Sequence, residues 1–203
     1  MQKVFNVDGR IFSTLSKVFD LLILNILFLI SCVPIVTIGA SLTALYSVTL
    51  KMVRNEELFV AREFRSSFIS NLKQSSIIWV AALLFFAALI SIGHFVVPVN
   101  SLILFPLLLL ATIILLSFMY VFPMIAKFKN SSFHILKNAL FICLHSTAYS
   151  ILLFIMTLFF LVVIPIYIPK LLFIWLFLGF SVSAFLKSFL LEKVFNTYVK
   201  KQH

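Results

Sequence analysis

Apolar residues in this chain fall in long unbroken runs rather than in spaced stripes, and no charge interrupts 21–50, 74–126, 138–169 or 171–186. About 20 apolar residues cross one hydrocarbon core, so several of these runs hold two passes. Irregular backbone is not tolerated against lipid, which places the divisions at turn signals. These are Pro34, the stretch Val96-Val97-Pro98-Val99-Asn100-Ser101, and Pro165-Ile166-Tyr167-Ile168-Pro169-Lys170. The pattern predicts an all-α integral membrane protein with one transmembrane domain over 1–203. Its six spans fall near 20–33, 37–54, 74–95, 102–126, 138–164 and 171–187. Between spans two and three, Leu58, Ala61, Phe64, Phe68 and Leu72 recur at helical spacing. This predicts an amphipathic helix over 56–72, either lying on the membrane surface through Phe64 and Phe68 or docking a partner.

Composition agrees with the pattern. The 203 residues are 63% hydrophobic and 11% charged, with a mean hydropathy of +1.20. Soluble domains carry about 25% charged residues, and a water-soluble fold could not hide this much apolar surface. Polar residues precede the first run and no small-residue cleavage site follows it, so that run is expected to remain in the mature protein.

Charge then sets orientation. Short loops rich in Lys and Arg are retained in the cytoplasm. With six spans, fifteen of the sixteen basic residues fall on one side and only Lys170 on the other. Both termini are therefore expected in the cytoplasm. The same bias accounts for the net charge of +10 through membrane lipid, without a nucleic-acid partner.

Candidate chemistry is sparse. Ionisable groups at membrane depth persist where something uses them, and no Asp, Glu, Lys or Arg lies in the middle of a proposed span. The sequence lacks a Gly-x-Ser-x-Gly elbow, a Walker phosphate loop, a His-Glu-x-x-His pair and paired carboxylates at depth, so no enzyme, catalytic residue, cofactor or metal is expected. Cys32 and Cys143 stand alone and read as small buried hydrophobes. His94 and His145 read as hydrogen-bonded between helices, or as groups able to titrate or bind a ligand. Span two is the most polar. Gly39, Thr43 and Ser47 repeat every four residues, as do Ala40 and Ala44, giving ridges along which another helix approaches closely. That helix is either the chain's own or a partner's. Asn25, Tyr46 and Tyr120 are further hydrogen-bonding candidates within the spans.

The run from Val33-Pro34-Ile35-Val36-Thr37-Ile38-Gly39-Ala40 through Leu45-Tyr46, followed by Lys51-Met52-Val53-Arg54-Asn55-Glu56-Glu57, resembles the YesL family of bacterial membrane proteins. Tyr120-Val121-Phe122-Pro123 leading to Leu136-Lys137-Asn138-Ala139 carries the same likeness. The resemblance implies a protein of mainly Gram-positive bacteria, without an assigned activity, encoded beside carbohydrate ABC importers, glycoside hydrolases and two-component sensors. The expected function is an accessory membrane subunit of such an importer, contacting the permease through Gly39, Thr43 and Ser47 or through Leu58, Phe64 and Phe68. A second reading is an independent small transporter or channel lined by Ser41, Ser47 and His145. A third is a membrane regulator of a sensor kinase.

Overall fold

The computed structural model describes the backbone of residues 4–96, 104–167, 170 and 172–200, and the side chains of 15–93, 105–167, 170, 172–173 and 175–198. Among these residues the chain is all helical. The helices are α1 (Val4–Ser31), α2 (Ile38–Val53), α3 (Val60–Val96), α4 (Leu104–Lys127), α5 (Ser132–His145), α6 (Thr147–Leu158), α7 (Ile164–Tyr167) and α8 (Leu172–Lys200). A 3-10 turn, Ile35–Thr37, leads into α2, and a π-helical segment, Phe159–Val163, joins α6 to α7. Five stretches are long and apolar enough to cross a membrane: Ile35–Val53, Val60–Gly93, Phe105–Lys127, Thr147–Tyr167 and Trp175–Tyr198. Their outward residues are large and apolar, among them Leu84, Ile90, Phe105, Ile155 and Leu176, as lipid contact requires. The molecule is a multi-pass helical membrane protein.

The centre of the bundle is α2, which packs against α1, α3, α4 and α8. Twelve of its sixteen residues are buried. Small side chains explain its position: a Cβ on Gly39 would lie 2.5 Å from the Ser75 carbonyl oxygen and 2.7 Å from Trp79 Cβ, so only glycine admits α3 this closely. The helix ends in a Schellman motif. Glu56 N–H donates to the Lys51 carbonyl at 3.1 Å, Asn55 N–H donates to Met52 at 3.1 Å, and Asn55 takes φ 54°. Asparagine is the residue other than glycine that tolerates this conformation best.

Two predicted boundaries are corrected. The separate amphipathic helix over 56–72 does not exist as such: the chain turns until Phe59 and then runs as one 37-residue helix, α3. No glycine or proline lies between Val60 and Ile92, so nothing stops the helix at its interface-to-membrane change of composition, and it extends about 55 Å at 1.5 Å per residue. Predicted span five, 138–164, is in turn broken at Ser146, whose φ of −117° and ψ of 47° leave the helical region. Hydroxyl side chains satisfy the carbonyls released there. Ser150 donates to the Cys143 oxygen at 3.1 Å and Thr147 to the Leu144 oxygen at 2.9 Å. Serine and threonine compete in this way with helix continuation.

Helices α1 and α8 also outrun the predicted spans 20–33 and 171–187, whereas α2 and α4 match theirs within about two residues. The turn proposed at 96–101 lies mostly outside the described residues, as does His94's side chain.

Candidate functional site

Three places concentrate polar chemistry: the seams around α2, the end of the bundle where the basic residues gather, and a central cavity. At the seams, hydroxyls pair between helices. Thr43 and Ser75 lie 2.8 Å apart, Thr49 and Ser188 2.8 Å, and Tyr120 and Ser150 2.9 Å. Asn25, fully buried on α1, donates through Nδ2 to the Leu176 carbonyl at 2.7 Å and accepts from the Ser181 N–H at 3.0 Å. Asn25 and Tyr120, hydrogen-bonding candidates in the sequence, bridge helices of the chain itself. Interhelical hydrogen bonds of this kind stabilise membrane bundles by roughly 0.6–2 kcal/mol each.

The ridge Gly39, Thr43 and Ser47 is filled by the chain itself. Gly39 faces Ser75 and Trp79, Thr43 bonds Ser75, and Ser47 donates to Glu63 at 3.2 Å. Of the two occupants the ridge allowed, α3 is the one in place, and it leaves no room there for a partner's helix. The expected apolar face of 56–72 is only partly turned inward, since Ala61 and Leu72 are exposed. Phe64 is buried, Phe68 is half-buried and stacks on it with centroids 6.2 Å apart, and Leu58 packs against the core. The surface anchoring expected of Phe64 and Phe68 is thus replaced by packing within the protein, because α2 offers a small-residue groove nearer than lipid does.

What α3 exposes instead is its opposite face. Arg62, Arg65, Ser66, Ile69 and Lys73 are exposed and fall within about 100° of helix circumference at 3.6 residues per turn. Phe59, immediately before the helix, and Ile69 are 80% and 62% exposed. Around this end the chain is held by polar links. Lys17 donates to Asn55 at 3.2 Å, Lys51 meets Glu63 at 2.7 Å, and Gln74 donates to the Asn130 carbonyl at 2.9 Å. Lys127 meets Glu192 at 2.8 Å and Asn196 at 3.2 Å, with the Phe195 ring 5.4 Å away.

The residues expected to line a path do not converge. Ser41 is buried and donates back to the Thr37 carbonyl at 3.0 Å, Ser47 is committed to Glu63, and His145 is exposed at the end of α5, stacked on Phe141. His145 borders a 390 Å³ pocket between α5 and α8 with Lys137, Asn138 and Tyr198. Neither serine reaches it.

A central cavity of 460 Å³ lies elsewhere, among α1, α2, α3, α4, α6 and α8. Aromatic rings, including Phe28, Trp79, Phe86, Phe118 and Trp175, share its wall with aliphatic side chains, and Tyr46, Thr157, Ser183 and Lys187 supply polar groups. Sequence reasoning assigned Lys187 to the charged end of span six and missed it as a cavity residue. The available signal was the four-residue spacing of Trp175, Gly179, Ser183 and Lys187, which puts all four on one face of α8.

This architecture is that of a helical, multi-pass membrane protein whose internal polar groups are mostly paired, Ser76 Oγ and Glu192 Oε2 being exceptions among the described residues, with a partly open apolar cavity between its helices. A family model described as a protein of unknown function, DUF624, matches residues 21–91, and YesL-type proteins carry that domain. The match covers roughly a third of the chain, taking in the second half of α1, all of α2 and most of α3. No curated protein and no solved structure matches the chain.

Proposed function

We propose that this protein is an accessory membrane subunit that acts by contact with a carbohydrate ABC importer. In this reading it has six spans, α1 supplying the sixth, and both ends face the cytoplasm of a bacterial cell. The observation that carries the proposal is the outer face of α3, where Arg62, Arg65 and Lys73 flank exposed Ile69, with exposed Phe59 just before the start of the helix. Isolated apolar residues on a surface need no explanation, but apolar anchors ringed by arginine match the composition of protein interfaces. The polar groups inside the bundle are largely engaged with one another, which favours a role in contact over one in conduction. The importer as partner is supported by the YesL resemblance.

The test is affinity purification of the tagged protein from its native host in mild detergent, grown so that the importer is expressed. Permease subunits are expected in stoichiometric amount with the wild type and are expected to be lost from R62E/R65E. Recovery of the protein without any transporter component would refute the reading. An independent transporter is the second reading, favoured by the central cavity alone.

A further inference from the structure

The central cavity has the dimensions and chemistry of a ligand site in its own right. Its 460 Å³ falls within the roughly 300–1,000 Å³ of small-molecule sites. Along α8 it runs from Trp175 to Lys187, twelve residues or about 18 Å at 1.5 Å per residue. Its walls are fixed. The Trp175 indole N–H donates to the Phe160 carbonyl at 2.6 Å, inside the π-helical segment, a device frequent at functional sites. Gly179 lets that indole lie flat along its own helix, since a Cβ there would come within 2.7 Å of the ring. Pro123, also in the wall, has no N–H for the Met119 carbonyl one turn earlier, so α4 is relaxed beside the cavity.

Lys187 is the cation of this cavity. Its ammonium has three donors, and its contacts are neutral: the Thr157 hydroxyl at 3.3 Å and the Tyr46 ring, whose centroid is 5.9 Å away. Among the described residues no carboxylate lies within 4.0 Å of it. A half-buried cation without a counter-charge is costly, and an anion supplied by a ligand removes that cost. A sugar or a peptide would leave its polar groups unpaired against walls of phenylalanine, leucine and tryptophan.

We propose that this cavity binds an acyl chain bearing an anionic headgroup, with the chain among the aromatic rings and the head at Lys187, Thr157 and Tyr46. The chain is drawn either from a free fatty acid or from an anionic membrane lipid, and these share the same contacts.

Both tryptophans of the protein, Trp79 and Trp175, line the cavity, so their fluorescence reports its occupancy. The protein is placed in nanodiscs of unbrominated zwitterionic lipid and titrated at mildly alkaline pH with 9,10-dibromostearate, a contact quencher. Saturable quenching is expected, weakened at least tenfold in K187M. On the wild type alone, stearate is expected to compete at least tenfold better than octadecanol, which lacks the charge, so the proposal does not depend on the variant folding. In a second arm without fatty acid, nanodiscs contain brominated phosphatidylglycerol or the same fraction of brominated phosphatidylcholine. Stronger quenching by the former that K187M abolishes identifies lipid as the source; saturable quenching by dibromostearate alone identifies free fatty acid. Unsaturable quenching by dibromostearate, with stearate and octadecanol competing equally and no lipid preference, would overturn the proposal.

Discussion

Asn25 on α1 and Ser181 on α8 are joined across the bundle by a side-chain to backbone bond, the Ser181 N–H donating to Asn25 Oδ1 at 3.0 Å. The same amide donates to the Leu176 carbonyl, five residues earlier on α8. One buried side chain thus addresses two backbone groups of another helix. Replacing it with an apolar isostere removes both bonds and leaves a buried donor and acceptor short of partners, at a cost of about 1–3 kcal/mol. N25L is expected to lower the thermal midpoint in detergent. N25D keeps the acceptor but loses the donor and introduces a buried charge, so it should be at least as destabilising; a midpoint unchanged in both would remove Asn25 from the account.

Gly39 and Gly93 make opposite predictions under the same substitution. Alanine is favoured over glycine in a helix interior by about 1 kcal/mol. At Gly93 the nearest atom to an added Cβ among the described residues is a Leu107 methyl at 3.7 Å, an ordinary contact. At Gly39 the Cβ would meet the backbone oxygen of Ser75 at 2.5 Å. G93A is expected to be neutral or stabilising. G39A should force α2 from α3 and destabilise by about 1–3 kcal/mol, measured by unfolding of the purified proteins.

Lys127 and Glu192 form a pair whose side chains are 13% and 14% exposed. Breaking such a pair leaves an uncompensated charge and costs about 3–5 kcal/mol, whereas replacing both members with apolar residues is often close to neutral. K127M should therefore destabilise strongly and K127M/E192L should recover most of the loss. Equal destabilisation by the single and double variants would show that the pair is not what holds α4 to α8.

Asn55 occupies the left-handed position that closes α2. N55G should be tolerated, because glycine takes this conformation without strain. N55V should be destabilised by about 1–2 kcal/mol, and it also loses the Lys17 hydrogen bond to Oδ1. Thermal unfolding of the two variants side by side distinguishes the backbone effect from loss of that exposed contact, which both share.

The apolar runs carried the helical class and the bounds of α2 and α4, because chain segments without charge have few alternatives in a membrane. Position 39 was legible as a close-approach residue through its spacing with Thr43 and Ser47. The identity of its neighbour was not, since small-residue ridges admit any helix and only tertiary structure selects α3. The continuity of α3 was hidden because composition changes near Lys73 while helix propensity does not. The break at Ser146 was hidden because serine hydroxyls, and not glycine or proline, accommodate it. The cavity role of Lys187 was hidden because a charge near the end of an apolar run looks the same in sequence whether or not it also lines a cavity.

The central claim, that the outer face of α3 docks an importer, is tested most directly by photo-crosslinking in the native membrane. Benzoylphenylalanine is placed at position 69, in the exposed stripe, and at position 64, inside the core, in cells expressing the importer. The account predicts a crosslink from position 69 to a permease subunit and only intramolecular products from position 64. Crosslinks from position 69 to lipid or to a second copy of the chain, with no permease product, would contradict it.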